Sequence, residues 1–253
     1  MIPLSFPVNS FYIATLFYLA SLAFYSLSRK RQALYFLGLG LFVNLISEIS
    51  GRLLTWPYCN MFSEPFFLPL SLSAISFLLI ILKREREGLA IVPIIVLFSL
   101  IAIFFSESYY PPFTIMSRSI HSHLFHLFTF ISHACFLSGA YIAALLVFKK
   151  RRDDISHRII IWGLALSCMA GFFGMIWSYL GRSDIVSWNH YYFHSVAVWL
   201  YYAGFLHLHM TKRWDRKKRV WILMAGFLLI FYFDYLPQIG GMHMPGILDV
   251  ELY

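Results

Sequence analysis

Charge is scarce in this chain. Asp, Glu, Lys and Arg make up 13% of its 253 residues, and only 12 of them are acidic. A soluble domain keeps about a quarter of its residues charged, so a water-facing globular fold is excluded. The three cysteines, Cys59, Cys135 and Cys168, form no C-x-x-C pair and no metal-finger spacing. Cys135 and Cys168 fall inside apolar segments, where cysteine is usually a small buried hydrophobe, and neither is assigned a redox role. There is no G-x-S-x-G, no P-loop and no carboxylate pair in a polar setting, which leaves hydrolase and kinase chemistry without a foothold. No Lys or Arg precedes Ser28, so the basic n-region of a cleaved signal peptide is missing and the first apolar segment is expected to stay as a helix. No internal repeat or low-complexity tract breaks the chain.

What the chain has instead is hydrocarbon. Hydrophobic residues reach 60% and aromatic ones 19%, with a mean hydropathy of +0.70. A helix crosses the roughly 30 Å of membrane hydrocarbon with about 20 apolar residues. Eight segments meet that need, at about 10–27, 33–51, 66–82, 89–106, 119–148, 158–180, 190–210 and 219–236. The expected fold is all-α: an eight-span polytopic membrane protein in which residues 1–253 form a single bundle.

The few charges are ordered. Basic residues follow the first segment (Arg29, Lys30, Arg31), the third (Lys83, Arg84, Arg86), the fifth (Lys149, Lys150, Arg151, Arg152, Arg158) and the seventh (Lys212, Arg213, Arg216, Lys217, Lys218, Arg219). Only Arg52, Arg118 and Arg182 fall in the alternate connections. The positive-inside bias then puts both termini, the 181–190 turn and the C-terminal tail outside the cytoplasm. The net charge of +8 is thus an orientation signal rather than a nucleic-acid patch.

Rings concentrate between Gly174 and His209, with four histidines, three tryptophans and five tyrosines. His190 and His194 lie at the outer end of the seventh segment, whereas His207 and His209 lie about 20 Å away by helical rise. Two depths are implied. The long fifth segment carries His121, His123, His126 and His133, of which His123, His126 and His133 share one helix face with Phe130 between them. The turn-rich tail after Phe233 contributes His243. Imidazole inside a membrane span is expensive and points to function, although interfacial Trp and Tyr also serve as belt anchors. Glu48 and Asp234 lie inside apolar segments too, where each can pair with a helix-end donor or line a polar cavity. His157, beside the Arg151–Asp154 charge run, reads as surface.

These residues resemble the CcsA/ResC cytochrome c assembly proteins, whose pattern runs roughly G-x-V-W-A, W-G-x-x-W-x-W-D and W-x-x-Y-A-x-x-L-H. Gly174 and Trp177 match the opening, Trp188 matches the last tryptophan before the acid, and Trp199, Tyr202, Ala203, Leu206 and His207 match the closing part. Arg52 with Thr55–Glu64 is similar to the family's R-W…G-H-x-P-x-S-N-x-Y-E-S loop, and Ile131–Gly139 to the segment after its first outer histidine. Lys212–Phe231 with Gly241, Met242 and His243 resembles its basic loop, last helix and terminal G-L-H. The likeness covers about residues 50–245. The W-G-x-x-W-x-W-D core is here Arg182 to Asn189, with two tryptophans absent and the acid replaced by its amide. Thr55 stands where the family has a histidine, and His126 lies one position from its first outer histidine.

The resemblance implies a protein that carries haem to the outer face of a bacterial cytoplasmic membrane and presents it there for attachment to apocytochrome c together with a CcsB/ResB-like partner, as part of a holocytochrome c synthase (haem lyase) complex. It implies haem b as the group bound. His126 (or His123, with His133 as a further alternative) and His243 would be outer axial ligands, and His207 half of an inner site. Paired imidazoles suit haem iron. Trp177, Trp188 and Trp199 would stack on the porphyrin, and Arg182 or Arg118 would meet the propionates. Two alternatives stand beside this reading. One is a HemX-like protein that influences tetrapyrrole synthesis without attaching haem. The other is a metal-handling protein built on the outer histidines, since imidazole suits Zn, Cu or Ni.

Overall fold

The computed structural model describes residues 5–55, 64–105, 119–148, 155–183, 190–210 and 215–236. All nine elements of regular α-structure among them are accounted for by the apolar runs, and among the described residues there is no strand. They are α1 (Ser5–Ser26), α2 (Lys30–Thr55), α3 (Glu64–Ile81), α4 (Glu85–Ala90), α5 (Val92–Phe105), α6 (Ile120–Phe148), α7 (Ile155–Arg182), α8 (His190–Met210) and α9 (Arg216–Ile230), the last running into one π-helical turn, Phe231–Tyr235. Each expected segment is a helix. The 89–106 segment differs in detail: it begins earlier, at Glu85, and is broken at Ile91. Pro93 explains the break, because it lacks the N–H that would continue the α-helical ladder.

Among the described residues, five stretches are long and apolar enough to cross a membrane: Ser5–Ser26, Lys30–Leu54, Glu85–Phe105, Ile120–Val147 and Ile155–Gly181. Pro65–Ile81 is a shorter apolar helix. The chain is therefore an integral membrane protein. Its contacts fall into two compact units, α1–α5 and α6–α9.

In the first unit, the hydrocarbon-facing helices are tied together by polar side chains. Asn44 Nδ2 donates to the Tyr18 hydroxyl at 3.2 Å, Tyr18 donates to Ser73 Oγ at 3.0 Å, and Ser73 donates to the Leu70 carbonyl at 2.8 Å. That relay links α1, α2 and α3 with every member buried. Ser47 Oγ donates to the Pro7 carbonyl at 2.6 Å, and Ser76 Oγ to the Gly88 carbonyl at 2.7 Å. Such bonds replace the hydrophobic drive that lipid does not supply between helices.

The short connections α1–α2 and α3–α4 share one device. Ser28 and Lys83 both adopt left-handed φ of 60°. Arg29 N–H reaches the Phe24 carbonyl and Arg84 N–H the Leu79 carbonyl, at 2.9 and 2.8 Å. These are Schellman caps, made here without the usual glycine.

In the second unit, α6 and α7 form an antiparallel pair whose close approach rests on Gly139 and Gly163. A Cβ on either would fall 2.7–2.8 Å from Ile160 or Phe136 side-chain atoms. Tyr202 of α8 lies flat on Phe136, with ring centroids 3.7 Å apart.

Candidate functional site

The histidines of α6 fall into distinct settings. His123 and His133 are each 2% exposed, and His126 is half-buried. The His126 ring lies 5.9 Å from Phe130, nearly parallel, and 6.1 Å from Trp177 of α7. Phe125 stacks on the same indole at 6.1 Å. Two expected site residues, His126 and Trp177, are thereby brought together, because residue 126 and residue 177 occupy the facing sides of the α6–α7 pair. His121 continues the wall, stacked on Phe173 at 6.1 Å, and Phe173 stacks in turn on Phe128 at 5.6 Å.

Deeper in the unit, three helices leave a gap. A cavity of about 280 Å³ is bounded by Phe125, Thr129 and His133 of α6, by Cys168, Gly171 and Met175 of α7, and by Ser195 and Trp199 of α8. His133 and Trp199, expected as a ligand alternative and a stacking surface, thus share one space. The Trp199 Nε1–H points to Cys168 Sγ at 3.1 Å. Cys135 is buried as expected, whereas Cys168 is exposed, which departs from the expectation. The indole N–H needs an acceptor within the apolar layer, and the thiol across the helix pair supplies it.

His207 sits apart from these groups. It is exposed, with Nδ1 3.2 Å from the Ala203 carbonyl of its own helix. His194, near the other end of α8, stacks on Phe233 of the π turn at 4.6 Å. Trp188, Arg118, His243 and the Arg182 side chain lie outside the described residues, as does Cys59. Among the described residues, no three His, Cys, Asp or Glu side chains come together as a metal site.

One charged feature went unassigned in the sequence. Glu48, flagged only as a carboxylate in an apolar segment, binds Arg52 one turn on, with Oε2 and Nη2 2.7 Å apart and both side chains largely buried. The i, i+4 spacing of opposite charges was the available signal.

Comparison with curated proteins points to one named process. A CcsA cytochrome c biogenesis protein from Cyanophora paradoxa is 28% identical over 88 residues, which is 35% of this chain and 27% of that protein. The CcsA of Synechococcus sp. (strain RCC307) is 26% identical over 88 residues, 35% of this chain and 28% of its own. That of Prochlorococcus marinus (strain NATL1A) is 31% identical over 81 residues, 32% and 26% respectively. The chain is a distant relative of CcsA. The likeness spans only about a quarter of the length of these CcsA proteins. No family model matches the chain, and no solved structure does.

Proposed function

We propose that this CcsA relative handles haem in cytochrome c maturation, receiving it within the membrane and presenting it on the outer face for attachment to apocytochrome c beside a CcsB/ResB-like partner. The observation that carries this reading is the packing of the half-buried His126 against Trp177 and Phe130, in a chain similar to cytochrome c biogenesis proteins. An imidazole framed by flat aromatic surfaces offers both an iron ligand and a wall for a porphyrin. On this reading haem b is cargo, His126 and His243 are its outer axial ligands, and His123 or His133 can substitute for the first. Trp177, Trp188 and Trp199 supply stacking surface, Arg182 or Arg118 meets the propionates, and His207 belongs to an inner site. The reading also takes eight spans in one bundle, with both termini and the 181–190 turn on the outer side of a bacterial cytoplasmic membrane.

A second reading has its own support. The loss of two tryptophans between Arg182 and Asn189, the amide at Asn189 and Thr55 all favour a HemX-like protein that influences tetrapyrrole synthesis without attaching haem. The metal-handling reading gains nothing from the described residues.

Protein purified from haem-replete membranes is expected to show a Soret band that His126→Ala or His243→Ala lowers by at least half. Colourless wild-type protein would overturn the proposal. Restoration of c-type cytochromes in a strain lacking its own CcsA separates the first reading from the second.

A further inference from the structure

The cavity bounded by α6, α7 and α8 shares Trp199 and the alternative ligand His133 with the haem reading, but the His126–Trp177 pair does not line it. It reaches mid-helix on all three sides, at His133, the fourteenth of 29 residues in α6, Cys168, the fourteenth of 28 in α7, and Trp199, the tenth of 21 in α8, and runs from there toward the α6 and α8 N-termini, where Phe125 and Ser195 are each the sixth residue. At 1.5 Å per residue, His133 is roughly 20 Å from either end of its helix. Its inner wall is closed, since Phe125, Thr129 and His133 are at most 8% exposed. Its rim is open: Phe172 is 52% exposed and Val196 42%. In a membrane-spanning unit, such a rim of exposed apolar side chains faces lipid tails, so the way in is lateral, from the bilayer core.

The lining selects among lipophilic occupants. Most of it is apolar, yet it includes the His133 imidazole and the hydroxyls of Ser167 and Ser195, one group from each helix. An acyl chain has no use for polar groups at this depth, where they are costly and mark substrate paths. A ring bearing carbonyl oxygens at opposite edges does, and Phe172 and Trp199 offer it flat faces. At about 280 Å³ the cavity is at the small end of ligand pockets, roughly 300–1,000 Å³. That suits a one- or two-ring head group and falls short of a porphyrin with its propionates.

We propose that the cavity lined by His133, Ser195 and Trp199 binds the ring of a membrane quinone, which enters sideways from the bilayer. The ring sits among the polar groups of His133, Ser167 and Ser195, and the isoprenoid tail stays in lipid.

Gly171 makes this testable with little damage to the fold. It lines the cavity, and a Cβ there meets nothing within 4 Å, so Gly171→Leu grows into the space while removing a helix-weakening glycine. The full chain, reconstituted in quinone-free lipid nanodiscs, is titrated with menadione, and quenching of indole emission is followed. The wild type is expected to quench saturably, with much of the amplitude lost in Trp199→Phe. Gly171→Leu should weaken binding at least about tenfold, and His133→Leu by about tenfold through loss of a polar group from the lining. Gly181→Leu, equally unobstructed but outside the cavity, should bind as the wild type does. Non-saturating quenching that Gly171→Leu and His133→Leu leave unchanged would overturn the proposal. So would displacement of menadione by palmitate, which marks an acyl slot, or by hemin with the same sensitivity to Gly171→Leu, which marks a haem path.

Discussion

Residue by residue, the most exacting feature is the ion pair of Glu48 and Arg52. Removing one partner of a buried pair leaves the other charge uncompensated and costs about 3–5 kcal/mol. Glu48→Gln is therefore expected to lower the melting temperature of the reconstituted protein sharply, and Glu48→Gln with Arg52→Gln to recover most of the loss. A single variant that melts with the wild type would show that the pair is not holding α2. The two cysteines of the described membrane helices differ in the same concrete way. A lipophilic maleimide should modify Cys168, which is exposed, and spare Cys135, which is 6% exposed; mass spectrometry of tryptic peptides reads the result. Both cysteines lie in apolar runs, so the difference between them was not legible from composition. It depends on which side of α7 faces its neighbours.

The helices themselves were the most legible level. A span must satisfy its backbone internally and run about 20 residues, and clusters such as Lys149–Arg152 stop it abruptly, so α6 and α8 begin and end within a residue of expectation. The interruption at Ile91 and the π turn at Phe231–Tyr235 were not anticipated, the first although Pro93 was in plain view, the second because nothing in the residue types marks an extra residue per turn. Two predictions belong to this level. Ser28 occupies a left-handed conformation that costs a side-chain-bearing residue about 1 kcal/mol, so Ser28→Gly should raise stability by up to that amount in thermal unfolding. Conversely, Tyr18→Phe removes the centre of the Asn44–Tyr18–Ser73 relay and should cost about 1 kcal/mol, the scale of hydrogen bonds inside membranes. An unchanged melting curve would mean that the relay is replaceable.

For the whole molecule, orientation rests on the alternation of basic connections, and the proposed arrangement has a direct check. Ser183→Cys, at an exposed position after α7, should react in intact cells with a membrane-impermeant maleimide, and Ser28→Cys should not. The reverse pattern would invert the orientation. The candidate site was legible only in part. His126 and Trp177 could be nominated because rings of those types suit a porphyrin, and the fold brings them together. The cavity could not, because it arises where faces of α6, α7 and α8 fail to meet, and no local pattern encodes a gap. The division into two units carries one more consequence, for biosynthesis. The contacts among α1–α5 need no residue of Ser119–Pro237, so they can form while that second unit is still being translated. At synthesis rates of 5–20 residues per second, translating Ser119–Pro237 of the second unit takes roughly 6–24 s, a window in which the first five helices must resist degradation without α6–α9.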